Sequence, residues 1–408
     1  MKPNSTKSQI TMLMIIGLVL FIAISLVLYL SKYAIKKQSK QNTDEAQYDV
    51  LETQPIKEFV AKCLDKLSKD AIILLGKQGG YIYTSQGGTL VDYRYTDEGI
   101  FFVKPKDNNG NTVNVVYDIL PPRFIVSDFS SIVPQYPWEK FPEDSNDLTK
   151  EKFDGYFGIN EIPPLNSSGG PHSIKTQIET FVDNNMASCA DFSVFKKQDL
   201  DVVMNPAKTS VIIGASDVTI KSKIHISITN PKTNQFAEVD DFSTNVNIRL
   251  KDIYFFTKEL IDKDVGDIKF NISDIKNNKD GLKVQLIQNV YSNDDLIIVT
   301  DEKSLIYGKP FEYVFARKNR APALYYITKN VLEFPPDYEI KESDLLQGQE
   351  LKAEDPDEDS YTFSIYLGEF SKNPAIFPIT LKQEQIKFRV EVSDDKLLDY
   401  QIITVNRI

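Results

Sequence analysis

Four aspartates near the C-terminus have the types and spacing of a candidate metal site. Asp355, Asp357 and Asp359 alternate along one short acidic segment, and Asp394 lies in a later turn. Calcium prefers several hard oxygen ligands that converge from one loop, so these four carboxylates are candidate Ca²⁺ ligands. The loop lacks the glycine at position six and the glutamate at position twelve of an EF-hand. Because Asp-Pro-Asp is also common in plain turns, both interpretations remain open.

The only two cysteines are Cys63 and Cys189, and each follows a Phe-Val pair on the apolar stripe of a predicted helix. Their matching positions predict a disulfide, although two separately buried thiols would fit the same pattern. A bridge would close a loop of about 125 residues and stabilise the fold by roughly 4–5 kcal/mol in the chain-entropy treatment. Neither cysteine has a neighbouring histidine or glycine-rich elbow, so neither is a candidate nucleophile.

Signatures of catalysis are missing, and we predict that the protein is not an enzyme. The chain has two histidines, and its paired glycines lack the spacing of a phosphate-binding loop. We interpret His225 as a surface residue, because it lies opposite the apolar face of a half-buried strand. A surface hydrolase would require acids such as Asp92, Asp118 and Asp128 to converge in one cleft. Apart from calcium, the sequence indicates no cofactor.

Composition indicates a globular chain with two or three folded units. The 408 residues are 41% hydrophobic and 26% charged, which excludes a disordered, collagen-like or polytopic membrane protein. The net charge is −11, although residues 1–46 are basic, so the remainder is strongly acidic. A surface this acidic repels phosphate backbones, which argues against nucleic acid as a partner.

An uncharged apolar run near the N-terminus predicts a membrane anchor. As a helix the run is long enough to cross a hydrocarbon core of about 30 Å. We predict a short basic segment at residues 1–9, a transmembrane helix at residues 10–31 and a polar stalk at residues 32–54. No small-residue cleavage site follows the run, which favours an uncleaved anchor over a secretory signal.

The side of the membrane on which the body lies is indicated by two opposing signals. Lysines flank the span on both sides, and the positive-inside rule weakly favours a cytoplasmic body. The paired cysteines and the glycosylation sequons at Asn166 and Asn271 favour the opposite side. We therefore predict a single-pass protein of the cell membrane whose body is outside the cytoplasm.

Residues 55–317 have the pattern of an α+β body, with a candidate sub-boundary near residue 198. Amphipathic helical spacing follows Pro55, recurs before the second cysteine and appears again from Arg249. Strand-like runs follow each of these helices, and one strand is predicted at Asp267–Ile272.

Residues 321–408 have an all-β pattern of short alternating strands. The segments Asn-Arg-Ala-Pro at 319–322, Ala-Glu-Asp-Pro-Asp-Glu-Asp at 353–359 and Val-Ser-Asp-Asp at 392–395 carry a resemblance. They resemble the cadherin-like or Ig-like repeats of bacterial and archaeal surface proteins, with Glu358 where those repeats have glycine. The resemblance implies a Greek-key β-sandwich that serves adhesion or acts as a spacer.

The N-terminus carries a second resemblance. Lys7, Ser8 and Gln9 before the apolar run resemble the class III signal of archaeal type IV pilin-like proteins. The resemblance implies cleavage after the basic leader and assembly into a filament. Ser8 replaces the usual glycine, and the apolar run lacks the usual acidic residue, so a plain anchor also fits.

Together these features predict a non-catalytic, membrane-anchored cell-surface protein of archaeal type, which serves binding, adhesion or scaffolding. Its partners would be the membrane, through residues 10–31, and a surface protein or glycan. A pilin-like filament subunit is the alternative, followed by a surface hydrolase.

Overall fold

The computed structural model describes residues 51–82, 84, 87–88, 102–103, 105, 114–122, 136, 157–166, 170, 172–327 and 329–408. The predicted anchor at residues 10–31, most of the stalk, Asp92 and Asp128 lie outside these residues. Within them, no helix combines the length and the apolar character needed to cross a bilayer.

Helices and strands alternate through the body, and strands dominate the C-terminal region. The helices of the described residues are α1 (Gln54–Lys77), α2 (Ile174–Cys189), α3 (Ser193–Lys196), α4 (Leu250–Gly266), the 3₁₀ turn Ile275–Asn277 and α5 (Glu342–Leu346). The strands of the body are β1 (Phe102–Val103), β2 (Val115–Leu120), β3 (Ile159–Asn160), β4 (Asp201–Met204), β5 (Lys208–Ile213), β6 (Val218–Asn230), β7 (Gln235–Val246), β8 (Leu282–Tyr291), β9 (Asp294–Ile306) and β10 (Lys309–Arg317). The remaining strands are β11 (Ala323–Leu324), β12 (Val331–Phe334), β13 (Glu339–Ile340), β14 (Ala353–Glu354), β15 (Thr362–Leu367), β16 (Ile379–Thr380), β17 (Gln385–Ser393) and β18 (Leu398–Arg407).

Helix α1 forms because its apolar residues recur at helical spacing and proline stands at its start, where no helical N–H is lost. The predicted stripe is the buried face, which includes Ile56, Val60, Leu64, Ala71 and Ile72. The helix ends at two glycines with positive φ, and the Gly80 N–H donates to the Leu75 carbonyl at 2.9 Å. A Cβ at Gly80 would lie 2.6 Å from both Pro163 Cγ and Tyr313 Oη, so only glycine fits there.

The body contains two sheets over one continuous core. The first sheet has the order β1-β2-β10-β9-β8, with β3 beside β2, and β10 runs parallel to β2. In the second sheet, β4 and β5 both pair with one side of β6, and β7 pairs with its other side. Because α1, α2 and both sheets contribute to the same hydrophobic core, that core runs across residue 198 without interruption.

The C-terminal region is β-rich and has a core of its own. One sheet has the order β12-β18-β17-β15, and the short pairs β11-β14 and β13-β16 complete a sandwich-like arrangement. Phe388, Val390, Val392, Ile403 and Val405 are fully buried in its core. Alternation along β17 and β18 therefore places apolar side chains on one face of the sheet, as the sequence predicts.

One predicted strand is wrong. Asp267–Ile272 forms turns, because polar side chains hold the backbone: Asp267 Oδ1 accepts from Lys269 N–H, and Asn271 Oδ1 accepts from Ser273 N–H. Ile268 and Ile272 are buried and hold this loop against the protein interior. Their even spacing resembles the alternation of a strand, which is why the sequence predicted one.

The predicted disulfide is confirmed. Cys63 on α1 is bonded to Cys189 on α2, with a Cα–Cα distance of 5.8 Å across a sequence separation of 126. The bridge joins two helices that already pack on the same core, so it adds a covalent constraint to an apolar contact.

We expect removal of this bridge to destabilise the body strongly. In the chain-entropy treatment, the Cys63→Ala/Cys189→Ala variant should lose about 4–5 kcal/mol of unfolding free energy, because its unfolded chain is no longer constrained. Chemical denaturation of the variant, beside the wild-type protein with and without reductant, measures the loss. Reduced wild-type protein should match the variant; equal midpoints for oxidised and reduced wild type would contradict the expectation.

Candidate functional site

The most distinctive polar site is a buried ion cluster between the body and the C-terminal region, and Arg320 is at its centre. Arg320 is fully buried, and its Nη2 lies 2.7 Å from Asp357 Oδ1 and 2.9 Å from Asp264 Oδ2. It also donates to the carbonyl oxygens of Phe157 and Pro356 at 3.1 and 2.9 Å. Burial alone would lower the pKa of Arg320, but Asp264 and Asp357 raise it above its ordinary value. The guanidinium therefore remains charged inside the protein.

Arg317, at the end of β10, is the second cation of the cluster. Its Nη1 lies 3.0 Å from Asp264 Oδ1, its Nη2 lies 2.6 Å from Asp295 Oδ2, and its Nε lies 3.0 Å from Asp357 Oδ1. The same carboxylates raise the pKa of Arg317 against the opposite effect of burial. Planar guanidinium groups suit such a cluster, because each can donate to several carboxylates at once.

The cluster joins two parts of the chain that have separate hydrophobic cores. Asp264 and Asp295 belong to α4 and β9 of the body. Asp357 belongs to the loop of residues 355–359 in the C-terminal region, which we call the acidic loop. Asp357 accepts from Arg320 through both oxygens, since Oδ2 also receives the Arg320 backbone N–H at 2.7 Å. Removing either arginine would leave a single guanidinium to compensate the three buried carboxylates of Asp264, Asp295 and Asp357, which is costly. The ion cluster therefore fixes the C-terminal region against the body.

The acidic loop is shaped by Asp355. Its Oδ1 accepts the backbone N–H groups of Asp357 and Asp359 at 2.8 and 3.1 Å. Glu358 lies at the tip of this turn with a φ of 63°, a left-handed conformation that favours glycine. Glycine would adopt this backbone conformation without strain, whereas Glu358 adopts it at a cost in conformational energy.

Asp394 is held in the next turn by two kinds of donor. Its Oδ1 accepts the N–H groups of Lys396 and Leu397 at 2.8 and 2.6 Å, and its Oδ2 accepts from Asn319 Nδ2 at 2.7 Å. Residues 318–322 connect β10 of the body to β11 of the C-terminal region, and we call them the connector. Asn319 belongs to this connector, and its backbone N–H donates to Asp294 Oδ1. These bonds fix the connector from both sides.

The structure thus divides the four predicted calcium ligands into two pairs. Asp357 and Asp394 use both carboxylate oxygens in bonds to protein donors, as described above. Asp355 Oδ2 and Asp359 Oδ2 are buried without a hydrogen-bond partner, and so is Asn319 Oδ1. Burial and the charge of Asp357 raise the pKa of Asp355 to about 7 and that of Asp359 to about 6. The two carboxylate oxygens could be satisfied by a proton or a cation, and the amide oxygen by a hydrogen-bond donor or a cation.

Within the part of the chain that the structure describes, no three or more His, Cys, Asp or Glu side chains form a group that could hold a metal ion. Calcium takes six to eight oxygen ligands, so Asp355, Asp359 and Asn319 would need additional oxygens from the backbone or from water. Calcium therefore stays a prediction for Asp355, Asp357, Asp359 and Asp394, of which Asp355 and Asp359 each have an oxygen without a protein donor. The contact between Asn319 and Asp394 was not predicted, because the two residues are 75 positions apart in the chain.

The other predicted site residues lie apart from the ion cluster. Asn166 and Asn271 are exposed, as glycosylation requires, and Asn271 Oδ1 accepts from the Ser273 hydroxyl at 2.7 Å. Of the three acids considered for a hydrolase, Asp118 is the described one. It is fully buried in β2, where Tyr313 Oη donates to its Oδ2 at 3.3 Å, and burial raises its pKa well above its ordinary value.

A polar relay on the outer face of β6 was missed by the sequence analysis. His225 Nδ1 lies 2.7 Å from Asp240 Oδ1, and His225 Nε2 lies 3.3 Å from Ser227 Oγ. The hydrogen bond with Asp240 raises the pKa of His225. The order of groups is that of a Ser-His-Asp relay, but Ser227 is flanked by Val203 on β4 and Glu238 on β7. Its backbone N–H thus belongs to a sheet interior and is not positioned as an oxyanion donor.

Comparison with known proteins adds no relative to this picture. No family model matches the chain, and a search of curated proteins finds no match. The functional argument therefore depends on the geometry described above.

We expect Arg320→Met to destabilise the protein by about 3–5 kcal/mol, because Arg317 alone would then have to compensate the buried carboxylates of Asp264, Asp295 and Asp357. Denaturant unfolding of the full chain measures the change. Arg407→Met is the matched control, since Arg407 is exposed at the end of β18 and should change stability by less than about 0.5 kcal/mol.

The double variant Arg320→Met/Asp357→Asn tests the pairing directly. Neutralising Asp357, one of the buried carboxylates then in excess over Arg317, should recover part of the stability lost in Arg320→Met, because Arg320 and Asp357 are in direct contact. Strictly additive effects of the two substitutions would contradict a coupled ion cluster.

We expect Ca²⁺ to stabilise the C-terminal region if it binds the oxygens of Asp355 and Asp359. A ligand that binds only the folded state adds about 2.7 kcal/mol at a hundredfold excess over its Kd. Thermal unfolding of the full chain in Ca²⁺ and in chelator measures this effect. Asp359→Asn should abolish the difference, and equal melting of the wild-type protein in both conditions would leave the acidic loop as a turn.

Proposed function

We propose that this protein is a non-catalytic, membrane-anchored cell-surface scaffold. In this proposal, residues 10–31 anchor the chain in the cell membrane. The α+β body and an Ig-like or cadherin-like C-terminal sandwich lie outside the cytoplasm. There they present binding surfaces to another surface protein or to a glycan.

The observation that carries the scaffolding role is the ion cluster of Arg317 and Arg320. A chain whose two regions merely followed one another could be joined by a flexible polar linker. Here the connector residues Asn319 and Arg320 are buried. Arg320 contacts the carboxylate of Asp264 in the body and that of Asp357 in the C-terminal region. Holding two regions in a fixed relation is useful when both must meet a partner at once.

The proposed location is supported by the disulfide and by the exposed sequons. Structural disulfides persist in oxidising compartments and are rare in the cytosol. The Cys63–Cys189 bridge is therefore what a body outside the cytoplasm would have. Asn166 and Asn271 are exposed on that body.

The Ig-like or cadherin-like assignment is supported by the acidic loop. Glu358 has the left-handed backbone that glycine adopts most easily, at the position where the resembling repeats have glycine. The sheet of β12, β18, β17 and β15, with its short partner strands, is compatible with such a sandwich.

We expect the full chain to fractionate with membranes and residues 47–408 alone to be soluble, because burial of a helix of about twenty apolar residues is effectively irreversible. Membrane flotation of both forms measures the anchor. Protease treatment of intact cells should cleave the body of the full chain, since the proposal places it outside.

A soluble full chain, or a body that is protected in intact cells and cleaved only after lysis, would contradict the proposal. The mass of the N-terminal peptide separates the alternative: an intact Met1 segment favours the anchor, and a new N-terminus at Gln9 favours a pilin-like subunit.

A further inference from the structure

Among the residues that the structure describes, strand β7 has one edge without a strand partner. It pairs with β6 along Gln235–Val246, and no other described strand pairs with its opposite side. Such an edge presents backbone N–H and C=O groups to any extended chain that can reach them. The residues that lie beside this edge determine how much of β7 an added chain could pair with.

Beside this edge lies a groove with a helix as its second wall. The cavity is about 500 Å³ and is lined by Gln54, Lys57, Glu58 and Ala61 of α1 and by residues 238–243 of β7. The four helix residues have the spacing of one helical face. Successive strand side chains alternate between the two faces of a sheet, so six consecutive residues can line one cavity only along the strand edge. We call this cavity the edge groove.

The strand wall of the edge groove is long enough for an added strand of about six residues. Six strand residues extend over about 20 Å, and a strand adds at a spacing of about 4.8 Å. Near one end the walls meet, because Thr244 Oγ1 donates to Asp65 Oδ1 at 3.1 Å. An extended peptide of about six residues could therefore lie between α1 and β7 and continue the sheet.

The charge of the edge groove selects the kind of peptide. Glu58, Glu238, Asp240 and Asp241 line it, and Lys57 is the only lysine or arginine among the described lining residues. His225 on β6 lies 2.7 Å from Asp240 and 3.7 Å from Glu238, so Glu58 and Asp241 are the lining carboxylates away from this histidine. Side chains of an added strand would approach these carboxylates from both faces of the sheet, so lysine or arginine would be favoured there.

The same charges argue against a second copy of this chain. Symmetric pairing of β7 with β7 would place Glu238, Asp240 and Asp241 of one copy against those of the other. Like charges directly opposite each other on neighbouring strands are destabilising. A basic segment of a different protein has no such penalty.

We propose that the edge groove binds an extended, basic segment of a partner protein, which adds as a strand to β7 beside α1. Backbone hydrogen bonds to the open edge supply the pairing, and the carboxylates on the two walls select Lys and Arg. The inference is independent of which side of the membrane the body occupies.

The test uses the full chain and a capped octapeptide of alternating lysine and valine with a fluorescent label. Fluorescence anisotropy should show saturable binding that weakens with added salt, because the contacts are partly ionic. Glu58→Lys/Asp241→Lys should weaken binding by about tenfold or more. Glu350→Lys, an exposed acidic position in the C-terminal region, is the control and should bind like the wild-type protein.

A second peptide separates strand addition from simple charge attraction. The same octapeptide with N-methyl groups on alternate residues keeps its charge but cannot pair with the edge, and it should fail to bind. Equal binding of the methylated peptide, equal loss in Glu350→Lys, or no binding of either peptide would overturn the proposal. So would octapeptide binding that appears only after residues 1–46 are removed, because the chain's own basic segment would then be the occupant. Dimers that Glu58→Lys/Asp241→Lys disrupts would overturn it in favour of a second copy.

Discussion

Two buried guanidinium groups join the body to the C-terminal region, beside an apolar cluster that includes Phe157, Ile268 and Ala321. Arg320 and Arg317 share the carboxylates of Asp264 and Asp357, and both side chains are almost completely removed from water. Such a cluster adds little net stability compared with a well-packed apolar contact, but breaking it is costly. The geometry that satisfies both arginines is narrowly defined. We infer that the cluster contributes more to the orientation of the C-terminal region than to its stability.

Because Asp357 binds the two arginines, the aspartates of the acidic loop have different roles. Asp357 is neutralised by the arginines, and Asp355 is committed through one oxygen to the turn. Asp359 and the second oxygen of Asp355 remain, together with the Asn319 amide oxygen. The loop thus combines one residue that holds the two regions together with others whose charge needs further compensation. What the acidic loop can bind therefore depends on which of its carboxylate oxygens already have protein partners, and not on the number of aspartates.

Helical periodicity and paired cysteines were predictable from the sequence because they are local or repeated signals. The apolar stripes of α1 and α2 and the bridge between them follow from residue spacing alone. The partners of Arg320 were not predictable, since its nearest carboxylates are 37 and 56 residues away in the chain. In the sequence, Arg320 belonged only to a segment that resembles surface repeats, and Asp357 was a candidate metal ligand. The length of β7 also depends on its pairing with β6, which residue spacing within β7 does not reveal.

The position of the disulfide determines how the body responds to a pull on its N-terminal side. Cys63 lies in the first helix of the described body, so a pull transmitted from the N-terminal side soon meets a covalent cross-link. The chain between the two cysteines, a separation of 126 residues, cannot extend under such a load while the bridge is intact. At about 3.3–3.6 Å per residue, that removes more than ~400 Å from the length to which the protein could be stretched. Under tension, the body between Cys63 and Cys189 would therefore be bypassed, and the force would continue through α2 into the strands beyond it.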